Sequence, residues 1–154
     1  DGHAEFLPQR IVDMGCGAGP VAVAAAIEYP TAQILGVDSD ARAIECTQRS
    51  AELNEITTIQ TLLTSDGVLP EPGTWDLLLG NPPYYSDYRI SELFMQAAST
   101  GLREGGRIHI VTKLLEWHQA RMEQLFADVT QHVISDYTVF TAVARNKPGS
   151  KTRR

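Results

Sequence analysis

Apolar positions are clustered in short runs separated by charged, glycine and proline positions. Residues 10–14 (RIVDM) form the first run and predict a short buried strand. Glycines follow at once, and PVAVAAAIE (20–28) then reads as a small-residue helix. Pro20 lies in its first turn, where a missing N–H costs nothing, and Pro30 stops it. QILGVD (33–38) predicts a second strand. SDARAIECTQRSAELNE (39–55) predicts a helix capped by Ser39 or Asp40. TIQTLL (58–63), with Ile59, Thr61 and Leu63 alternating, predicts a third strand, and WDLLLG (75–80) a fourth. Ile90, Leu93, Phe94, Ala97, Ala98 and Gly101 recur at the helical period, so 89–102 is expected to be a helix packed on a sheet. A turn at EGG (104–106) leads to a fifth strand, RIHIVT (107–112). Leu115, His118, Met122, Leu125 and Phe126 mark the next helix face, and HVISDY (132–137) and TVFTAVAR (138–145) predict a closing antiparallel pair.

Strands alternating with helices imply right-handed crossovers and a mostly parallel sheet with helices on both faces. Ligands of such α/β sheets bind beyond the carboxyl ends of the strands, near the point where strand order reverses. The 154 residues suit one domain spanning 1–154. Only Asp1 to Gln9 precede the first strand, so a preceding segment is expected to be truncated.

Composition is that of a soluble globular protein, with 43% hydrophobic and 21% charged residues. No apolar run is long enough for a membrane span, and no signal-like segment opens the chain. Two cysteines, Cys16 and Cys46, make no disulfide framework and fit a reducing cytoplasmic compartment; no metal-ligand spacing is present. The net charge of −6 is unevenly placed: residues 1–77 carry 12 acids and 3 bases, residues 78–154 carry 7 acids and 10 bases. The last segment, 146–154 with Arg145 before it, is a basic tail suited either to phosphates or to solvent.

The strand ends hold the candidate chemistry. After the first strand come Asp13, Gly15, Cys16, Gly17, Ala18 and Gly19, a tight turn whose backbone can approach a ligand closely. Cys16 reads as a small lining residue. Asp38 ends the second strand and can accept both hydroxyls of a ribose, or cap its own helix; Ser39 follows it. Asp66-Gly67 ends the third, suited to an adenine amino group or to an ordinary turn. Together these describe a nucleoside pocket. Pro20 stands where a dinucleotide fingerprint needs a third glycine, which counts against NAD, and no Lys-Ser/Thr pair completes a phosphate loop. An acid before the glycines suits a cofactor bearing positive charge.

VDMGCGAG, GVDSD, SDG and GNPPYY, in this order, resemble the motifs of the Rossmann-like (class I) S-adenosylmethionine-dependent methyltransferases. GLREGGRIHIVTK and YTVFTAVARNK are similar to the "small" methyltransferase domain of ribosomal RNA guanine-N2 methyltransferases. The resemblance implies a seven-stranded sheet with a closing antiparallel strand. It implies S-adenosylmethionine held by Asp13, Gly15, Cys16, Gly17, Gly19, Asp38, Ser39, Asp66, Gly67 and Asn81. Its Asn-Pro-Pro-Tyr tetrad belongs to enzymes that methylate an amino or amide nitrogen on a planar system. The implied substrate is guanine N2 of ribosomal RNA, with adenine N6 or a protein glutamine as alternatives and a non-catalytic nucleoside-binding module as a further one.

An exocyclic amine is a poor nucleophile because its lone pair is delocalised into the ring. The Asn81 side-chain oxygen and the Pro82 carbonyl can each accept one of its N–H groups and aim that lone pair. Pro82 and Pro83 fix φ near about −65° in succession and offer no competing donor. Tyr84 can stack on a planar target, Tyr85 either does so or packs inward, and Lys113, at the end of the fifth strand, either meets a phosphate or stays solvated. His118 falls on an apolar helix face and reads as a packed residue.

Overall fold

The computed structural model describes residues 5–83 and 88–145. Tyr84, Tyr85 and the basic tail at 146–154 lie outside the described residues. The elements are β1 (Arg10–Met14), α1 (Pro20–Glu28), β2 (Gln33–Asp38), α2 (Ala41–Leu53), β3 (Ile59–Leu63), β4 (Trp75–Gly80), α3 (Arg89–Gly101), β5 (Leu102–Thr112), α4 (Leu115–Leu125), β6 (Phe126–Ile134) and β7 (Tyr137–Ala144). The seven strands form one sheet in the order β3-β2-β1-β4-β5-β7-β6. Five neighbours from β3 to β5 pair in parallel, and β7 runs antiparallel to both β5 and β6. Strand order reverses between β1 and β4, which places the carboxyl ends of these two strands side by side.

The alternation along β1 explains the two layers. Ile11 faces one side with Ile34 and Leu77, where α1 lays Ala22, Ala25 and Ala26 against them. Alanines on that face let α1 lie close to the sheet. The α2 helix shares this side, its Thr47 meeting Gly36. Val12 faces the other side, where Leu78, Ile108, Ile110 and Phe140 pack beneath α3 and α4 through Phe94, Met95, Ala98 and Met122. Burying one such large apolar side chain stabilises the fold by about 1.5–3 kcal/mol, so the two alternating faces fix strand register.

Several boundaries differ from the sequence expectation, among them the start of β7, at Tyr137 rather than Thr138. β5 begins at Leu102 rather than Arg107, because Leu102 already pairs with Trp75 across an irregularity in register; Gly105 (φ 78) lets the strand bend there instead of ending. β6 begins at Phe126, which the apolar pattern assigns to the preceding helix. Phe126 is buried in the same core either way, but its backbone pairs with Ala144. The α2 cap is Asp40, whose side chain accepts the Arg42 N–H at 2.8 Å; Ser39 does not serve.

Candidate active site

The glycine loop is tied to the strand beside it. Gly15 N–H and Cys16 N–H both donate to the Val37 carbonyl, at 2.7 and 2.9 Å. Asp38 receives the Gly17 N–H on one oxygen and the Asp40 N–H on the other, each at 3.0 Å. Asp38 therefore braces the glycine loop and the entry to α2 together, and Asp40 takes the capping role. From α2, Thr47 Oγ1 donates to the Gly17 carbonyl at 3.0 Å and Ser50 Oγ to the Ala18 carbonyl at 2.9 Å. Gly19 caps α1 at φ 94, and a Cβ there would lie 3.0 Å from the Thr47 backbone. Gly15, at φ 73, would drive a Cβ to 2.9 Å from the Phe94 ring. Only glycine fits either position.

This loop opens onto a cavity of about 670 Å³ at the carboxyl ends of β1, β2, β3 and β4. Gly15, Asp38, Ser39, Asn81 and Pro83 line it, five of the residues expected from sequence. Thr64, Ser65, Arg89, Ile90, Leu93 and Phe94 line it too, and the sequence reading did not assign them. Ile90, Leu93 and Phe94 read there as sheet-packing positions. In the structure the first turns of α3 pack on the sheet and wall the cavity at once. Thr64 and Ser65 stand just before the expected Asp66.

Asp13, Gly15, Cys16, Gly17 and Asn81 border a second cavity, of about 390 Å³, on the α1 side of the sheet, with His109 and Val139 at its far wall. Asn81 lines both spaces. Asp13 is 3% exposed, and one of its oxygens is buried without a hydrogen-bond partner. Burial pushes its carboxyl up to about 7, against the pull of the Ala22 N–H and with added repulsion from Asp38. An orphaned buried carboxylate oxygen at a ligand cavity is the expected partner of a cationic group. Burial likewise raises the Cys16 thiol, whose sulfur lies 3.3 Å from Thr47 Oγ1. That favours a lining role for Cys16 over a thiolate one.

Other expected positions stand apart from the main cavity. Asp66 is exposed and closes its own turn, accepting the Val68 N–H and the Thr64 hydroxyl, which hold its carboxyl low. Gly67, at φ 68, is buried under Leu93. Pro82 is buried and Asn81 exposed. Lys113 lies with its ammonium 5.0 Å from the Tyr137 ring centre. His118 is fully buried and bonded to Leu114, Ser91 and Thr112, and burial lowers its pKa. Among the described residues no cluster of His, Cys, Asp and Glu could hold a metal ion, and no helix is long and apolar enough to cross a membrane.

Residues 3–141 match the Methyltransferase small domain family. The ribosomal RNA small subunit methyltransferase C of Pseudomonas entomophila is 31% identical over 126 residues, which are 79% of this chain and 37% of that protein. The release factor glutamine methyltransferase of Mycobacterium leprae is 34% identical over 100 residues, 63% of this chain and 35% of that protein. Among solved structures, a T. thermophilus 16S rRNA N2 methyltransferase in complex with AdoMet and guanosine superposes with a TM-score of 0.78 at 24% identity. It covers 88% of this chain, which spans 37% of that one. The chain thus spans little more than a third of the length of these relatives. With the matched segment running through all of the glycine loop, the Asn-Pro-Pro segment, six of the seven strands and part of the last, the chain belongs to the methyltransferase small domain family.

Proposed function

We propose that this domain carries out methyl transfer from S-adenosylmethionine to an exocyclic amino nitrogen of RNA, guanine N2 of ribosomal RNA being the favoured target. The observation that carries the reading is the placement of Asn81 at the meeting of two cavities, one edged by the braced glycine loop and Asp38, the other by the orphaned Asp13 oxygen. Asp13 suits the cofactor's ammonium, the loop N–H groups and Gly15 its close approach, and Asp38 with Ser39 its ribose. When bound, the cofactor supplies an electrophilic methyl group on a cationic sulfur.

The chain's own part is to position and to accept. Asn81 and the Pro82 carbonyl receive the two N–H groups of the target amine, so the nitrogen lone pair is directed at the methyl carbon. Positioning of this kind can lower a barrier by up to roughly 7–11 kcal/mol. As positive charge develops on nitrogen, two preset oxygen dipoles stabilise it. Both acceptors are neutral, so the proton leaves after transfer, when the nitrogen is more acidic. Tyr84 and Tyr85 are proposed to stack on the planar target, and Lys113 to meet a phosphate.

The likeness to a release factor glutamine methyltransferase supports a second reading, with a protein glutamine amide in the same clamp. One experiment separates the two. The chain is incubated with labelled cofactor and cell extract, with and without ribonuclease pretreatment, and RNA nucleosides are analysed by mass spectrometry. N2-methylguanosine that vanishes with ribonuclease is expected. Label that survives in protein favours glutamine, and no label in either fraction overturns both.

A further inference from the structure

Beside the cavity, where α3 begins, a shallow groove of about 420 Å³ is lined by Tyr88, Arg89, Glu92, Trp117, Arg121 and Gln124. Tyr88 and Trp117 stack there, ring centres 4.6 Å apart and 19° from parallel. The pair is anchored from below. Trp117 meets the His118 ring edge-on at 5.0 Å, and His118 is bonded to the Leu114 carbonyl at 2.7 Å and Ser91 Oγ at 3.1 Å. Tyr88 holds the left-handed region at φ 63, a costly conformation for an aromatic residue, and the residue is 38% exposed. The fold thus holds an aromatic surface out at the rim.

Charge gives this surface a direction. Glu92 takes Arg121 in a double contact, Nε at 2.8 Å and Nη2 at 2.5 Å, so that guanidinium is neutralised and held as a plane. Arg89 lines both the groove and the main cavity, and among the described residues no hydrogen bond or ion pair engages it. Asn81, the proposed clamp for the target amine, lines the same cavity, so an exposed cation between that clamp and an aromatic wall matches the repeat of a single-stranded nucleic acid: base, phosphate, base.

Resting on the RNA reading above, we infer that the Tyr88–Trp117 groove binds the nucleotide next to the methylated one, its base against the aromatic pair and the joining phosphate at Arg89. Target selection then includes a flanking nucleotide presented in single-stranded form.

The test compares the chain with Tyr88→Asn, which tolerates the left-handed backbone and removes the ring, and with Trp117→Leu, which keeps apolar bulk. Binding of a labelled single-stranded oligoribonucleotide of about eight nucleotides is followed by anisotropy, with S-adenosylhomocysteine binding and melting temperature measured alongside. RNA affinity should fall by about 5- to 100-fold in each variant, while S-adenosylhomocysteine affinity and melting change little. Arg89→Ala should lower the slope of log affinity against log salt by about one. Trp117 emission should be quenched by the oligonucleotide, with buried Trp75 as a constant background. Unchanged RNA affinity in both ring variants overturns the groove and leaves the methyl-transfer reading standing. A wild-type chain that binds a glutamine peptide in the groove and no RNA overturns both.

Discussion

The two loops that meet at the reversal of strand order are built on opposite plans. The glycine loop after β1 is bonded on every side: to Val37, to Asp38, and to Thr47 and Ser50 from α2. The Asn-Pro-Pro segment after β4 is held differently. Among the described residues no side-chain hydrogen bond holds Asn81; the backbone is set by two prolines, and the amide is exposed. One loop spends its polar groups on its own shape and presents backbone. The other takes its shape from covalent restraint and leaves the Asn81 amide exposed. A resident cofactor suits the first and a transient substrate the second.

Substitutions can break this contrast, and the largest effect belongs to the open loop. Asn81→Ala should reduce single-turnover methyl transfer by about 10²–10³-fold, the scale of losing one preset electrostatic partner, while S-adenosylhomocysteine binding measured by calorimetry falls far less. In the braced loop, Gly19→Ala forces a left-handed alanine against the Thr47 backbone and should destabilise the fold by about 1–3 kcal/mol in urea unfolding. Asp13 gives a pH signature. Its folded pKa of about 7 exceeds the ordinary 3.8, so the ligand-free fold loses stability as pH rises between those values. Asp13→Asn should therefore raise the melting temperature more at about pH 8 than at about pH 5. If the ionised carboxylate receives the cofactor's ammonium, binding near neutral pH releases a proton, visible as a dependence of calorimetric heat on the buffer and absent in Asp13→Asn. The smallest effect is expected for Thr47→Val, which removes a hydroxyl bonded to the Gly17 carbonyl and should cost about 1 kcal/mol.

How much of this was legible in sequence follows from what each residue obeys. β1, α1, β2 and β4 stand where the apolar pattern puts them, because they are buried and bounded by glycine, proline or charge. The closing antiparallel pair was legible, but the first part of β6, 126–131, escaped because it lies on an edge strand, mostly exposed beyond Phe126, with an irregular register near Asp128 (φ 52). An apolar pattern cannot report a strand that buries so little. In the site, the glycine loop and Asn81 were legible because their chemistry has no cheaper use. Arg89 and Phe94 were not, since their role comes from where α3 starts, and a helical period says only which side faces the sheet. Asp38 was legible as important, but one of its two backbone bonds comes from Gly17, 21 residues away.

The position of β7 bears on how the chain is made. It is the last of the described strands in sequence, yet it lies inside the sheet between β5 and β6. Until residues 137–144 have left the ribosome, β5 presents an unpaired edge and β6 has no strand to join. The carboxyl ends of β1 and β4 belong to the part of the sheet that can assemble earlier, so the site can take shape while the sheet is still open. A nascent or prematurely ended chain stopping short of Tyr137 would carry that open edge as its main hazard of misassociation.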